Sequence, residues 1–314
     1  MSDEQPSKAF CMKDPIHFLI DPAARLSGIA VETVAGPLGR IAFRRAGVTR
    51  AGQPALVLIH GWGCNMRFFE RQLGTLPGLS FALDLPGHGA SDPVCPDQLS
   101  LPSLTDSIAA FCERLGLSRV VLIGHSYGGF ISMFAASKIP GLAGVVVLDQ
   151  PLKPLPDQLE VDRRLREARE DVEDVRLAHF VRRLLRGKFT EPETARIIAA
   201  GYAVPRALRV GMSEIMYARV AAGFEKIPTI ESPLLSLASS LSHDWFGGDY
   251  VQYLRAISPP AEHDEIPGAS HYLMLDAATE VNARLTSWLG GLARPARASA
   301  GLAGEPIAEG GGPL

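Results

Sequence analysis

The chain has 314 residues, of which 46% are hydrophobic and 21% are charged, an ordinary globular composition. Lysine and arginine number 31 against 34 aspartates and glutamates, and the net charge of -3 gives no basis for binding nucleic acid or an anionic membrane. The four cysteines are scattered without a Cys-x-x-Cys pair, so we expect reduced thiols and neither a zinc site nor a disulfide framework. No secretory signal is visible and no apolar run approaches the roughly 20 residues that span a bilayer, which predicts a cytoplasmic protein.

Apolar strands alternate with helices in the first half of the chain. Ile29–Val34 and Arg40–Arg44 are predicted to be strands around a turn at Gly36–Gly39. A helical stretch is expected after His60-Gly61-Trp62-Gly63, up to about Leu76. The further predicted strands are Ala55–Ile59, Leu79–Leu83, Arg119–Ile123 and Gly144–Leu148, and the further predicted helices are Leu101–Leu115 and Tyr127–Lys138. This alternation predicts an α/β fold with a mostly parallel, twisted sheet covered by helices on both faces.

The pattern changes to helix without strand over residues 151–228, which predicts a helical cap inserted into the sheet domain. The cap contains an apolar stripe at helical spacing, formed by Leu177, Phe180, Val181, Leu184 and Leu185. The strand–helix rhythm then resumes with strands at Leu234–Ala238 and Glu262–Ile266 and helices at Asp249–Ile257 and Asp276–Leu289. The predicted organisation is an N-terminal extension (1–28), a core (29–150 and 229–292), the cap (151–228) and a disordered tail (293–314).

The strongest local motif is a G-x-S-x-G pattern centred on Ser126, with an apolar strand before it and a helix after it. A strand-to-helix turn this tight needs glycine on both sides of the serine, at Gly124 and Gly128. It presents the serine at the carboxyl edge of the sheet and at a helix N-terminus, where developing negative charge is stabilised. Ser126 is therefore the predicted nucleophile.

A serine hydroxyl needs a base, and the base needs an orienting partner. His271 is the best-placed histidine, because it lies in a loop between a late strand and the last helix. We therefore predict that His271 is the base that activates Ser126.

The sequence resembles the α/β-hydrolase superfamily from about Ile29 to Leu289. Four motifs in order carry the resemblance: His60-Gly61-Trp62-Gly63, the segment Asp84–Ser91, the elbow Gly124–Gly128, and Gly268–His271. The resemblance implies the α/β-hydrolase fold and an oxyanion hole formed by the backbone N–H groups of Trp62 and Tyr127. It implies a structural turn at Asp84–Ser91, and it implies no metal or organic cofactor.

Two aspartates are candidates for the acid that orients His271 and completes a Ser-His-Asp triad. In the family the acid commonly follows the seventh strand, and Asp244 is the preferred candidate on that basis. However, the usual glycine is missing from Ser239–Trp245, and the loop is slightly long. Asp149, at the end of the sixth strand, is the alternative, because some members of the superfamily take the acid from that position.

The predicted function is hydrolysis of a carboxylic ester or related acyl substrate. Serine at the elbow argues against haloalkane dehalogenases and epoxide hydrolases, which attack with aspartate. Alternatives on the same fold are a carbon–carbon bond hydrolase, a cofactor-free dioxygenase that cleaves heteroaromatic quinolone-type rings, and a non-catalytic ligand receptor. Asp149 favours the dioxygenase among these alternatives.

The substrate is expected to be a small, mostly apolar molecule, although its identity and the oligomeric state are not predicted. The residues expected to line its pocket are His60, Gly61, His125, Tyr217 and Trp245. Cap side chains that are candidates to extend the pocket are Phe180, Phe189, Tyr202, Met212, Met216 and Phe224.

Overall fold

One mixed sheet organises the molecule in the computed structural model, which describes residues 28–150, 158–170, 175–221, 227–240 and 250–292. Its strands are β1 (Glu32–Gly36), β2 (Gly39–Ala46), β3 (Ala55–Ile59), β4 (Ser80–Leu83), β5 (Val120–His125), β6 (Leu142–Leu148), β7 (Leu234–Ser239) and β8 (Glu262–Ile266). They lie in the order β1-β2-β4-β3-β5-β6-β7-β8. The β1–β2 and β2–β4 pairs are antiparallel, and the remaining pairs are parallel. The predicted α/β sheet is therefore confirmed.

The helices follow the predicted rhythm closely. They are α1 (Leu101–Arg114), α2 (Tyr127–Ala135), α3 (Gln158–Glu170), α4 (Val175–Leu185), α5 (Glu191–Ala203), α6 (Arg206–Ala221), α7 (Tyr250–Ile257), α8 (Leu273–Asp276) and α9 (Ala278–Leu292). None of the described helices is long and apolar enough to cross a membrane.

Side chains of alternate residues in the central strands pack into two hydrophobic cores, one on each face of the sheet. In β3, Leu56 and Leu58 pack on the face that α9 covers, whereas Val57 and Ile59 pack on the face that α1 and α2 cover. The sheet is buried on both faces, which explains why β3, β5 and β6 read as continuous apolar runs rather than as alternating patterns.

The helix expected between Gly63 and Leu76 was wrong in extent. Only Met66–Phe69 forms a 3₁₀ helix, and turns follow it. Gly74 has a φ of +74°, a left-handed conformation that cannot continue a right-handed helix. Phe69 and Leu73 in this segment are buried.

Helices α3 to α6 lie between β6 and β7, where the cap was expected. The apolar stripe of α4 is buried at Leu177, Val181, Leu184 and Leu185, whereas Phe180 is 40% exposed. The boundaries 151–228 fall partly on residues that are not described, as do the N-terminal extension and the tail, so the domain division stays a prediction.

Candidate active site

Ser126 lies at the sharp turn between β5 and α2. Its φ of 49° and ψ of -117° place it in a region that residues with a Cβ rarely occupy. A Cβ on Gly124 would lie 2.3 Å from the carbonyl oxygen of Gly128, and a Cβ on Gly128 would lie 2.1 Å from that of Ile59. The two glycines are therefore required by close backbone approach, which is the physical content of the G-x-S-x-G motif.

The order of the strands makes the position beside this turn the expected ligand site. β3 lies between β4 and β5, so the direction of chain progression reverses there, and ligands bind at such points in open α/β sheets. The pairing of Ile59 with Gly124 brings the turn after β3, which contains Trp62, beside the turn that contains Ser126. Among the described residues, no backbone carbonyl accepts a hydrogen bond from the N–H of Trp62 or Tyr127.

The imidazole of His271 contacts a buried carboxylate. Its Nδ1 lies 2.6 Å from Oδ2 of Asp149, although the two residues are 122 positions apart. Asp149 is fully buried, and its Oδ1 accepts a 2.6 Å hydrogen bond from the backbone N–H of Ser239. Both carboxylate oxygens are therefore held by the protein, one by a backbone N–H and the other by the imidazole.

Strand register explains why Asp149 lies near the elbow. His125 pairs with Leu148, so Ser126 and Asp149 are the next residues after two adjacent parallel strands. The N–H of Ser126 donates to the carbonyl oxygen of Leu148 at 2.8 Å. Asp149 also has a positive φ, 48°, which turns the chain sharply as it leaves the sheet.

The main chain of His271 is held at two further points. Its N–H donates to the carbonyl oxygen of Leu184 at the end of α4, at 3.3 Å. Its carbonyl oxygen lies 2.9 Å from Nε2 of His125, and the centroids of the two imidazole rings are 4.7 Å apart. The residue next to Ser126 therefore touches both the main chain and the ring of His271.

The acid preferred from the sequence, Asp244, lies outside the described residues, and so does Trp245. The carboxylate that the structure brings to His271 is that of Asp149, the alternative from the sixth strand. No sequence signal points to the supporting bond from Ser239, because a backbone N–H carries no residue identity.

His60, expected in the substrate pocket, has both ring nitrogens engaged by backbone groups. Its Nε2 accepts from the N–H of Leu85 at 2.9 Å, so its Nδ1 is the donor to the carbonyl oxygen of Gly61, also at 2.9 Å. Burial, together with the nearby His88, lowers the pKa of His60 well below its usual value. His60 is thus a neutral imidazole that hydrogen-bonds to the backbone of two turns, and neither of its nitrogens is left to bind a substrate.

The segment Asp84–Ser91 is the structural turn that the resemblance implies. The carboxylate of Asp84 accepts hydrogen bonds from the N–H groups of Met66 and Ala90, at 2.6 and 2.8 Å. Burial is the main cause that raises the pKa of Asp84 to about 6. A Cβ on Gly89 would lie 2.1 Å from this carboxylate, so the turn closes tightly around it.

Cap helices contact the turn after β3. The indole N–H of Trp62 donates to the carbonyl oxygen of Arg209 in α6 at 2.9 Å, and the Phe180 ring packs edge-on against the indole at 6.1 Å. Tyr217, expected in the pocket, is half-buried and hydrogen-bonds with Arg164 of α3. Among the other cap candidates, Met212 is buried in the core cluster below α6, and Phe224 lies outside the described residues.

Comparison with known proteins gives the same architecture. The chain is 35% identical over 97 residues to a pimeloyl-[acyl-carrier protein] methyl ester esterase from Xylella fastidiosa, covering 30% of this chain and 36% of that protein. It is 30% identical over 105 residues to a 2-heptyl-3-hydroxy-4-quinolone dioxygenase from Rhodococcus erythropolis, covering 32% of this chain and 37% of that protein. These matches span about a third of the curated relatives.

Among solved structures, an epoxide hydrolase from an endophytic Streptomyces superposes with a TM-score of 0.67 at 21% identity, covering 85% of this chain and 96% of that one. This likeness shows the fold alone. The family model described as "Alpha/beta hydrolase family" matches residues 56–284, which include the elbow, Asp149 and His271. The protein is therefore an enzyme of the alpha/beta hydrolase family.

Proposed function

We propose that this enzyme hydrolyses a carboxylic ester or a related acyl substrate with a triad of Ser126, His271 and Asp149. The observation that carries the proposal is the 2.6 Å contact of His271 Nδ1 with Asp149 Oδ2, beside a serine at a strained elbow. Asp149 takes the role for which the sequence favours Asp244.

The proposed mechanism begins with attack of the Ser126 hydroxyl on the acyl carbon, while His271 Nε2 takes its proton. Because Nδ1 of His271 donates to Asp149, the carboxylate fixes the tautomer and stabilises the imidazolium that forms. His271 then returns the proton to the leaving alcohol. In the second half, His271 deprotonates a water molecule as it attacks the acyl carbon of the acyl-enzyme. The bond to Ser126 then breaks, the acid is released, and His271 returns the proton to the Ser126 oxygen. This mechanism needs no cofactor.

The backbone N–H groups of Trp62 and Tyr127 are the proposed oxyanion donors. Both lack a described backbone acceptor, and Tyr127 is the first residue of α2, so the helix dipole adds to its N–H. Preorganised donors of this type contribute about 10²–10³ in rate each. Trp62 and the exposed Phe180 offer apolar surface beside this position, which supports an apolar substrate.

A p-nitrophenyl ester tests the proposal. We expect a burst of p-nitrophenol, a stable phosphonate adduct on Ser126, and a loss of at least about 10³-fold in kcat for Ser126→Ala. A wild-type enzyme that forms no adduct and turns over no ester would contradict it.

A cofactor-free, ring-cleaving dioxygenase is the second candidate, because Asp149 follows β6, the position that the resemblance gives for the acid in those enzymes. There, His271 would deprotonate the hydroxyl of a heteroaromatic substrate, and Ser126 would not be a nucleophile. Oxygen consumption with a 3-hydroxy-4-quinolone that survives Ser126→Ala, without ester turnover, would favour this function over the first.

A further inference from the structure

His125 is the residue that immediately precedes the nucleophile, and its side chain points into the protein. It is 1% exposed. Its Nε2 lies 2.9 Å from the carbonyl oxygen of His271, 146 positions away in sequence. This contact joins the elbow directly to the main chain of the proposed base.

We propose that His125 is a positioning residue that, through its Nε2–H, holds the main chain of His271 so that the His271 imidazole stays aligned with Ser126. The inference rests on the proposed function, in which Ser126 and His271 exchange a proton. His125 itself touches no reacting atom in this scheme.

The hydrogen bond defines the protonation of the ring. A carbonyl oxygen only accepts, so Nε2 of His125 must carry the proton, and Nδ1 of the neutral ring does not. Nδ1 is buried and has no hydrogen-bond partner among the described residues. It faces Gly61, where a Cβ would lie 2.8 Å from it. A purely apolar side chain would fill the same space without burying an unpaired nitrogen, so packing alone does not account for a histidine here.

His271 depends on this contact because its other anchors act elsewhere. Leu184 binds the N–H of His271, and Asp149 binds Nδ1 of the ring. The His125 bond holds the carbonyl side of the residue toward the elbow. The N–H of the peptide after His271, that of Tyr272, donates to Ser270 Oγ at 3.1 Å. Without the His125 bond, however, the carbonyl of this peptide loses its donor, and the ring can then tilt about the bonds to Leu184 and Asp149.

Two variants of nearly equal length separate donation from packing. In His125→Gln, the side-chain amide nitrogen reaches the position of Nε2 and can donate to the His271 carbonyl. In His125→Met, the chain has similar length and volume but no donor. We expect kcat per titrated active site to fall on the order of 10²-fold in H125M, with KM unchanged, and to stay within about threefold of wild type in H125Q.

Active sites are titrated with a p-nitrophenyl phosphonate, and thermal unfolding is followed in parallel. We expect H125M to keep a cooperative unfolding transition while remaining slow per site, because it removes the unpaired nitrogen but also leaves the His271 carbonyl oxygen without this donor. Equal rates per site in H125Q and H125M would overturn the proposal. They would show that the side chain at position 125 contributes by packing and not by donating to His271.

If the proposed function is wrong, the wild-type enzyme itself forms no phosphonate adduct on Ser126. That result is distinct from failure of the positioning role, in which the wild-type enzyme still forms the adduct. If no adduct forms, the positioning role is tested by the downfield proton resonance of His271 Nδ1–H. We expect H125Q to retain this resonance as in wild type and H125M to shift or broaden it. An identical resonance in all three proteins would refute the role.

Discussion

At the scale of single residues, Asp149 combines the features required of a triad acid. Its carboxylate is buried, one oxygen is held by a backbone N–H, and the other faces the imidazole. A charged group in such a site is stable only if its partners are fixed, and an unpaired buried charge is strongly destabilising. The proposed acid is therefore held in one geometry before substrate arrives.

The choice between the two acids is tested by Asp149→Asn and Asp244→Asn. In Asp149→Asn, the new side-chain amide can donate to His271 Nδ1 and thereby favours the wrong tautomer, so we expect kcat to fall by about 10³–10⁴-fold. Asp244→Asn is the matched control and is expected to change kcat by less than about threefold. Steady-state ester hydrolysis measures kcat of both variants. A larger loss in the Asp244 variant would identify Asp244, in the loop after the seventh strand, as the acid.

The proposed roles of Ser126 and His271 follow from sequence alone, because each residue lies in a local pattern, an elbow and a strand-to-helix loop. The role of the acid does not, since Asp149 and Asp244 both follow predicted strands and local sequence does not reveal which loop faces the imidazole. The facts that favour Asp149 are three-dimensional: the register of His125 with Leu148 and the bond from Ser239.

At the scale of secondary-structure elements, the strands of the core were predictable because both sides of the sheet are covered. Full burial leaves unbroken apolar runs such as Ala55–Ile59, and the structure gives the same bounds. The helix predicted after Gly63 is wrong in extent, because Gly74 takes a left-handed conformation there. Contacts between Trp62 and cap helices α4 and α6 were not predictable, because they depend on how loops meet in space.

The elbow makes a prediction about stability at this scale. In Gly124→Ala, the new methyl group would meet the backbone of Gly128 at 2.3 Å, and backbone cannot move aside as a flexible side chain can. We expect a loss of roughly 1–3 kcal/mol in unfolding free energy, measured by urea denaturation. Activity should fall further than the folded fraction, because the strain is released by displacing Ser126.

The matched control is Gly290→Ala in α9, where nothing lies within 4 Å of the new methyl group. Because alanine is a better helix former than glycine, this variant is expected to gain about 0.5–1 kcal/mol. Equal stability of the two alanine variants would show that the elbow tolerates a side chain and that its glycines have another role.

At the scale of the whole molecule, buried imidazoles set the response of stability to pH. Burial is the largest cause that lowers the pKa of His60, His88 and His125, so the folded protein keeps all three neutral. The unfolded chain protonates them near their usual pKa of about 6.5. Asp84 acts in the opposite direction, because burial raises its pKa to about 6 and the fold retains that proton as pH falls. Asp276 acts in the same direction as Asp84, because burial also raises the pKa of its carboxyl. Three buried imidazoles against these two carboxyls predict a net loss of stability on acidification.

His88→Asn isolates one of these contributions. The pKa of His88 is lowered to about 4, so its stabilisation is complete above the unfolded pKa of about 6.5 and is lost as pH falls toward 4. Between about pH 7 and pH 5 this single group should remove roughly 2 kcal/mol of unfolding free energy. Asparagine can still donate to the Pro86 carbonyl, which His88 Nδ1 contacts at 3.0 Å, but it does not titrate.

Urea unfolding of wild type and H88N at both pH values gives the measurement. The variant should lose less stability between them than wild type, by about the same 2 kcal/mol, whatever its stability at neutral pH. Because Asp84 is present in both proteins, its opposing effect cancels in the comparison. An identical loss in the two proteins would mean that His88 is protonated in the fold, and the assignment of His60 and His88 as a pair of neutral histidines would be wrong.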